Sequence, residues 1–252
     1  MDDGYLTLAS TTSLDNSGLL TRILALFKQA SGIDVHVVAL CTGQALDVAR
    51  RGDADLVLVH DPDAEAQFIS EGHGINRGEI AWNDFVIVGP AADPAKIKGG
   101  RDVVAAFKAI WAAKAPFVSR GDKSGTDALE KRLWKAADLD VTKVGSWYKD
   151  IGGGMGAALN AAAGMDAYTL SDRGTWLSFN NRRDLTIALE GDKRLLNRYD
   201  VIELDPKLHG QAKLALAKQF ADWLASPAGQ KAIGDYELAG QKLFHPEADP
   251  KP

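Results

Sequence analysis

The chain has 252 residues, 46% of them hydrophobic and 25% charged, which is the composition of an ordinary globular protein. Its 29 basic and 34 acidic residues leave a net charge of −5, which argues against nucleic acid as a general partner and means that any anion must be attracted locally. A single cysteine excludes an intrachain disulfide, five scattered histidines lack metal-ligand spacing, and no apolar run approaches the ~20 residues that span a bilayer.

The opening MDDGYLTLAS goes almost directly into a strand pattern, YLTLAS. It has no basic stretch and no apolar stretch of an export signal, so the chain is expected to be cytosolic or to have lost such a signal. Next, SGLLTRILALFKQASG puts Leu19, Leu20, Ile23, Leu24 and Phe27 on one helical face, with Gly32 as the C-cap. DVHVVAL reads as a strand, TGQALDVARRG as a short helix, and ADLVLVH as a strand buried on both faces. DPDAEAQFISEG is the following helix, with Pro62 and acids in its first turn. Three strand–helix repeats of this kind predict right-handed crossovers and a mainly parallel sheet.

DFVIVGP is a further strand, and the segment from Ala91 to Gly100 reads as a surface loop. Then follow helix RDVVAAFKAIWAAKA, strand PFVSR, helix SGTDALEKRLWKAA, the short SWYKDI, and a small-residue helix opened by GGGMG. Strands DAYTLSD, LTIALEG and RYDVIELD come next, with a helical turn RGTWLSFNN between the first two, and two helices around Pro227 close the pattern. Two α/β groups are therefore expected: residues 1–83 with 199–252 form one lobe, and residues 84–198 the other. A double crossing of this kind predicts a cleft at the carboxyl ends of the strands.

Hydrogen-bond donors crowd those strand ends. Strand one ends in Ser10, Thr11, Thr12 and Ser13, and strand two in Thr42, Gly43 and Gln44. PFV ends in SRGDKSGT, which holds Arg120, Ser124, Gly125 and Thr126, and GGGMG supplies Gly154, Met155 and Gly156. First-turn amides of a helix have no internal partner and carry partial positive charge, so an anion is stabilised there without any lysine. Arg120 adds a full charge and a fork suited to two oxygens of one anion. Each junction taken singly is also an ordinary N-cap, and Arg120 could instead pair with Asp122 or Asp127. Lys123 reads as a solvated loop residue, Cys41 as a buried small apolar residue, and Tyr168 as core or hinge packing or as a cleft donor.

Enzyme signatures are missing or out of context. GDKSGT lacks the order of a P-loop. GGGMGA satisfies G-x-G-x-x-A, with Asp172 twenty residues beyond Gly152, but the preceding SWYKDI is short and polar where a buried strand is required. There is no nucleophile elbow, carboxylate pair or metal triad, so no catalytic residue is assigned.

Taken in order, STTS, TGQAL, GDADLVLVHDPDAE, WNDFVIVGP, SRGDKSGT, GMGAALN, YTLSDRGTW and GDKRLLNRYDVI resemble the tungstate-binding receptors of bacterial ABC transporters, from about Leu6 to about Phe244. The resemblance implies a two-lobed type II periplasmic-binding-protein fold, each lobe a mainly parallel sheet flanked by helices, with the ligand cleft between lobes. It implies a high-affinity extracytoplasmic or periplasmic receptor for tungstate, with molybdate as a second ligand, that hands the oxyanion to a membrane permease by hinge closure. No cofactor, nucleic acid or direct cation site is implied, and a monomer is the default. A phosphate or sulfate receptor is the alternative, and a Rossmann-type enzyme is further off. Carried over motif by motif, the ligand contacts are Ser10, Thr11, Thr12, Thr42, Gly43, Arg120, Ser124, Gly125, Thr126, Gly154, Met155, Gly156 and Tyr168. The chain departs from the family in having Ser10 for threonine, Asp127 for an expected histidine, and Gly153 for a larger polar residue.

Overall fold

Strand and helix alternate from Tyr5 onward, and the computed structural model, which describes residues 4–251, groups them into two units. Unit 1 takes in the chain up to Asn83 together with Asn197–Asp249, and unit 2 is Asp84–Leu196.

Unit 1 begins with β1 (Tyr5–Thr11), α1 (Thr12–Asn16), α2 (Leu19–Ser31), β2 (Asp34–Leu40), α3 (Thr42–Arg50), β3 (Leu56–Val59) and α4 (Pro62–Ser70). β1 pairs in parallel with β2 and with β3, and its end is in register with theirs: Thr11 faces Leu40, and Ser10 faces Leu58. β3 is LVLV with every residue buried, as a strand covered on both faces must be. On one face Leu6 and Leu8 meet Ile23 and Phe27 of α2, and on the other Ala9, Val57 and Val59 meet Leu46 of α3 and Phe68 of α4. α2 is held between two left-handed glycines, Gly18 and Gly32, and buries Leu19, Leu20, Ile23 and Phe27. Each such side chain contributes about 1.5–3 kcal/mol of burial.

β4 (Gly74–Pro90) runs for 17 residues and carries the chain from unit 1 into unit 2. Sequence pattern predicts a strand only from Asp84, because Asn76, Arg77 and Glu79 interrupt the apolar run. Arg77 is satisfied inside unit 1: it pairs with Glu65 of α4 at 2.8 Å and with Asp200 at 2.7 Å.

Unit 2 contains α5 (Val103–Ala113), β5 (Phe117–Ser119), α6 (Gly125–Ala136), β6 (Tyr148–Asp150), α7 (Met155–Met165), β7 (Tyr168–Asp172), α8 (Arg173–Ser178) and β8 (Leu185–Leu189). Its sheet runs in the order β4, β7, β5, β6, with β8 also on β4. β5 is parallel to β6 and β7, and β4 is antiparallel to β7. Phe107, Phe117 and Trp134 fill the side under α5 and α6. The other side is closed by α7, whose Ala158, Ala162 and Ala163 allow close approach to Val86, Val88 and Val118.

β9 (Leu196–Leu204) brings the chain back to unit 1, antiparallel to β3. α9 (Pro206–His209), α10 (Leu214–Ala225) and α11 (Pro227–Gly234) follow. Phe220, Leu224 and Ile233 of the last two join the α2 side of the unit 1 core. Among the described residues, no helix is long and apolar enough to cross a membrane.

Candidate functional site

In unit 1 the register of β1 and β2 brings two chain turns to the same end of the sheet. Thr11 ends β1 and caps α1, its Oγ1 accepting from the Leu14 amide at 3.3 Å. Thr12 and Ser13 follow, both exposed. α1 has only five residues, so it offers loose amides and hydroxyls more than a helix dipole. At the end of β2, α3 starts at Thr42 with Cys41 in the N-cap position and no side chain capping it. The amides of Thr42 and Gly43 therefore belong to an uncapped first turn of a nine-residue helix. This position also corrects the reading of Cys41: it is exposed, because the N-cap lies outside the packed face of α3.

Ser10 does not keep a hydroxyl donor for a ligand. It is fully buried, and its Oγ donates to the Leu58 carbonyl at 2.7 Å. Next to the Thr11 turn stands His60, which sequence reading set aside. Its Nε2 lies 3.1 Å from Thr11 Oγ1 and 3.3 Å from Ser13 Oγ, and its Nδ1 lies 3.0 Å from Asn197 Oδ1. No sequence spacing signals this, because the partners are 49 and 137 residues away.

In unit 2 the parallel pair β5 and β6, with Ser119 opposite Asp150, does the same for the second pair of turns. The Ile151 amide donates to the Ser119 carbonyl at 3.2 Å and the Gly153 amide to the Arg120 carbonyl at 3.0 Å, which ties the two loops together. Gly121 sits at φ +59°, and a Cβ there would fall 1.4 Å from Asp150 Oδ1, so this turn requires glycine. Ser124 caps α6 by accepting from the Asp127 amide at 3.2 Å, and the first-turn amides of Gly125 and Thr126 follow. α7 starts from Gly154 with no side-chain cap, so the amides of Met155 and Gly156 open its first turn.

Arg120 is oriented by its neighbours. Its Nε and Nη2 donate to Asp122 Oδ2 at 3.1 and 2.5 Å, and its Nη1 donates to Thr126 Oγ1 at 3.3 Å. The carboxylate takes one edge of the guanidinium, which leaves the Nη1/Nη2 end geometry for a second acceptor. Burial raises the Asp122 carboxyl, but hydrogen bonds from Ser124 and Arg120 outweigh it and hold the pKa below the usual carboxylate range. Asp127 is turned into the protein: its Oδ1 accepts from the Gly121 amide at 3.1 Å and lies 3.4 Å from Ser119 Oγ and 3.5 Å from Lys131 Nζ. Lys123 is exposed.

Tyr168 is corrected by the structure. It begins β7, in register with Phe117 at the start of β5, and so lies at the end of the strands away from Arg120. It is fully buried; its hydroxyl donates to Asp93 Oδ1 at 2.6 Å and accepts from the Ala95 amide at 3.1 Å. Both burial and the Asp93 hydrogen bond raise its pKa. Tyr168 therefore braces the 91–100 loop. The GGGMGA signal also stays out of context, since β6 before it is three residues long and mostly exposed. Among the described residues, no group of three or more His, Cys, Asp or Glu side chains is placed to hold a metal ion.

Residues 3–228 match the PBP superfamily domain. The chain is 43% identical over 249 residues to the tungstate-binding protein TupA of Peptoclostridium acidaminophilum, covering 97% of this chain and 86% of that protein. It belongs to the TupA family. Among solved structures, the tungstate-binding protein TupA of Desulfovibrio alaskensis G20 superposes with a TM-score of 0.92 at 44% identity, covering 97% of this chain and 99% of that one. The tungstate ABC transporter structure from Geobacter sulfurreducens gives a TM-score of 0.78 at 40% identity, covering 94% and 100%. Fold and family together make this TupA-family chain a solute-binding component and not an enzyme. Its acid at position 127, where the resemblance leads one to expect a histidine, faces inward to the Gly121 amide.

Proposed function

We propose that this protein is the extracytoplasmic receptor of an ABC importer and binds tungstate, with molybdate as a second ligand. Each unit offers its own donors to an oxyanion. Unit 1 supplies the Thr11–Ser13 turn and the amides of Thr42 and Gly43. Unit 2 supplies Arg120, the Ser124–Thr126 turn and the amides of Met155 and Gly156. A receptor whose conformational equilibrium depends on its ligand is what a membrane permease can read.

One observation carries the reading. In each unit two strand-to-helix turns share one end of a parallel strand pair, and in unit 2 Asp127 is turned inward to the Gly121 amide while Asp150 accepts from the Gly152 amide. The turns offer an anion hydroxyls, first-turn amides and the Arg120 guanidinium. Tungstate and molybdate are fully ionised near neutral pH and need only donors. Hydrogen phosphate keeps a proton and needs an acceptor as well. The chain's relatives named for tungstate support the same choice.

Calorimetric titration with tungstate, molybdate, sulfate and phosphate tests it. Tight binding of tungstate, with phosphate far weaker, is expected. Tight phosphate binding with no response to tungstate would overturn the assignment.

A further inference from the structure

The polar group behind the Thr11 turn forms a closed network within unit 1. Asn197 Nδ2 donates to Asn83 Oδ1 and to Tyr199 Oη, both at 2.9 Å, and Asn83 Nδ2 donates to Tyr199 Oη at 3.2 Å. Both hydrogens of the Asn197 amide are thus placed. Reversing the two amides would leave two carbonyl oxygens competing for the one hydroxyl hydrogen of Tyr199, with one hydrogen bond fewer. Asn197 Oδ1 is therefore the atom that faces His60, and it is an acceptor. His60 must carry its hydrogen on Nδ1, and a neutral ring then has a lone pair at Nε2.

Two hydroxyls stand near that one lone pair. Thr11 Oγ1 is the nearer, at 3.1 Å against 3.3 Å for Ser13 Oγ, and it already accepts from the Leu14 amide. Once Thr11 donates to Nε2, the hydrogen of the exposed Ser13 hydroxyl can go only to Thr11 Oγ1, at 3.3 Å, or outward to a ligand. Asn83 and Asn197 are also the residues at which the chain leaves unit 1 and re-enters it. The imidazole thus links the proposed anion loop directly to Asn197 and, through Asn197, to Asn83.

We infer that His60 is a positioning residue for oxyanion binding: Asn197 fixes it in the Nδ1–H tautomer, its Nε2 takes the Thr11 hydroxyl hydrogen, and Ser13 becomes the hydroxyl of this turn that donates to the anion. This rests on the oxyanion-receptor reading above and singles out Ser13 within the turn named there. His60 need not touch the ligand to act. It decides where two hydroxyl hydrogens point.

Two measurements test the inference. In the first, ¹⁵N-edited NMR of the imidazoles in the unmodified, ligand-free protein reads the tautomer directly. His60 is expected to show a protonated Nδ1 and a bare Nε2, and the reverse pattern overturns the inference whatever the variants do. In the second, tungstate is titrated into the wild type, His60→Ala, Asn197→Ala, the double variant and Ser13→Ala, each checked for folding by thermal unfolding. Each single change is expected to weaken binding about tenfold, the worth of one oriented hydrogen bond. The double variant should be no weaker than the weaker single, because Asn197 acts through His60. Losses that multiply, or full affinity in Ser13→Ala, would overturn it. A wild type that ignores tungstate would instead sink the receptor reading itself, so the two failures are distinguishable.

Discussion

Arg120→Ala is the perturbation that probes the proposed site most directly. The Arg120 and Asp122 side chains are 16% and 20% exposed, so the pair is screened less than a surface ion pair. Two effects add. Loss of a charge-assisted contact to the anion costs about 1.5–3 kcal/mol. Removal of the guanidinium also leaves the Asp122 carboxylate bare. With the carboxylate and a doubly charged anion on opposite edges of the missing guanidinium, roughly 7 Å apart, their repulsion comes to about 1–2 kcal/mol at a dielectric between bulk water and half that value. The sum is near 4 kcal/mol, or about 10³-fold in Kd. The second effect can be separated: Arg120→Ala with Asp122→Asn should recover roughly tenfold of the loss. Isothermal titration with tungstate gives both numbers, and circular dichroism confirms that the fold persists. A single variant within about threefold of wild type would refute a ligand role for Arg120. A double variant no tighter than the single would refute the repulsion assigned to the bare Asp122 carboxylate.

Tyr168→Phe should leave tungstate affinity unchanged and lower stability by about 1–2 kcal/mol, because half-buried Asp93 and the amide of buried Ala95 both lose a partner; denaturant unfolding and titration together check this. Asp127→Asn keeps an acceptor for the Gly121 amide and should shift the tungstate Kd by less than about threefold, whereas a carboxylate facing the anion would give a large gain on neutralisation. Glu65 gives the pH prediction: burial first, then the hydrogen bond and charge of Asp200, push its pKa from the ordinary 4.5 to about 8. The folded state then binds more protons than the unfolded state between those values, so the Glu65 contribution to stability is full below the lower one and declines as pH rises toward the upper. Thermal unfolding from pH 5 to pH 8 should show this decline in wild type and a flatter profile in Glu65→Gln.

Much of the architecture was legible because hydrophobic period and helix caps are local signals. The apolar LVLV of β3, the Gly32 C-cap of α2 and the Ser124 cap of α6 each need only neighbouring residues to be recognised. Features built across the sheet were not legible. The first half of β4 carries no strand signal because the partners of Arg77 lie 12 residues before it and 123 residues after it. Tyr168 was placed on the correct strand but not at the correct end, since alternation says nothing about which end of a strand faces a ligand. Ser10 carries a hydroxyl, as the motif suggested, and only the pairing of β1 with β3 shows that the hydroxyl is consumed by the Leu58 carbonyl. His60 had no signal at all in isolation, and the same β1–β3 pairing brings it beside Thr11.

The inward-facing carboxylate of Asp127 has a further consequence. By gripping the Gly121 amide it freezes the backbone on which Arg120 is mounted before any guest arrives. Ordering a loop at the moment of binding consumes affinity, whereas a loop already rigid forfeits none. An acid that would repel an anion if it faced outward thus serves, from behind, to preorganise the donors proposed to attract one.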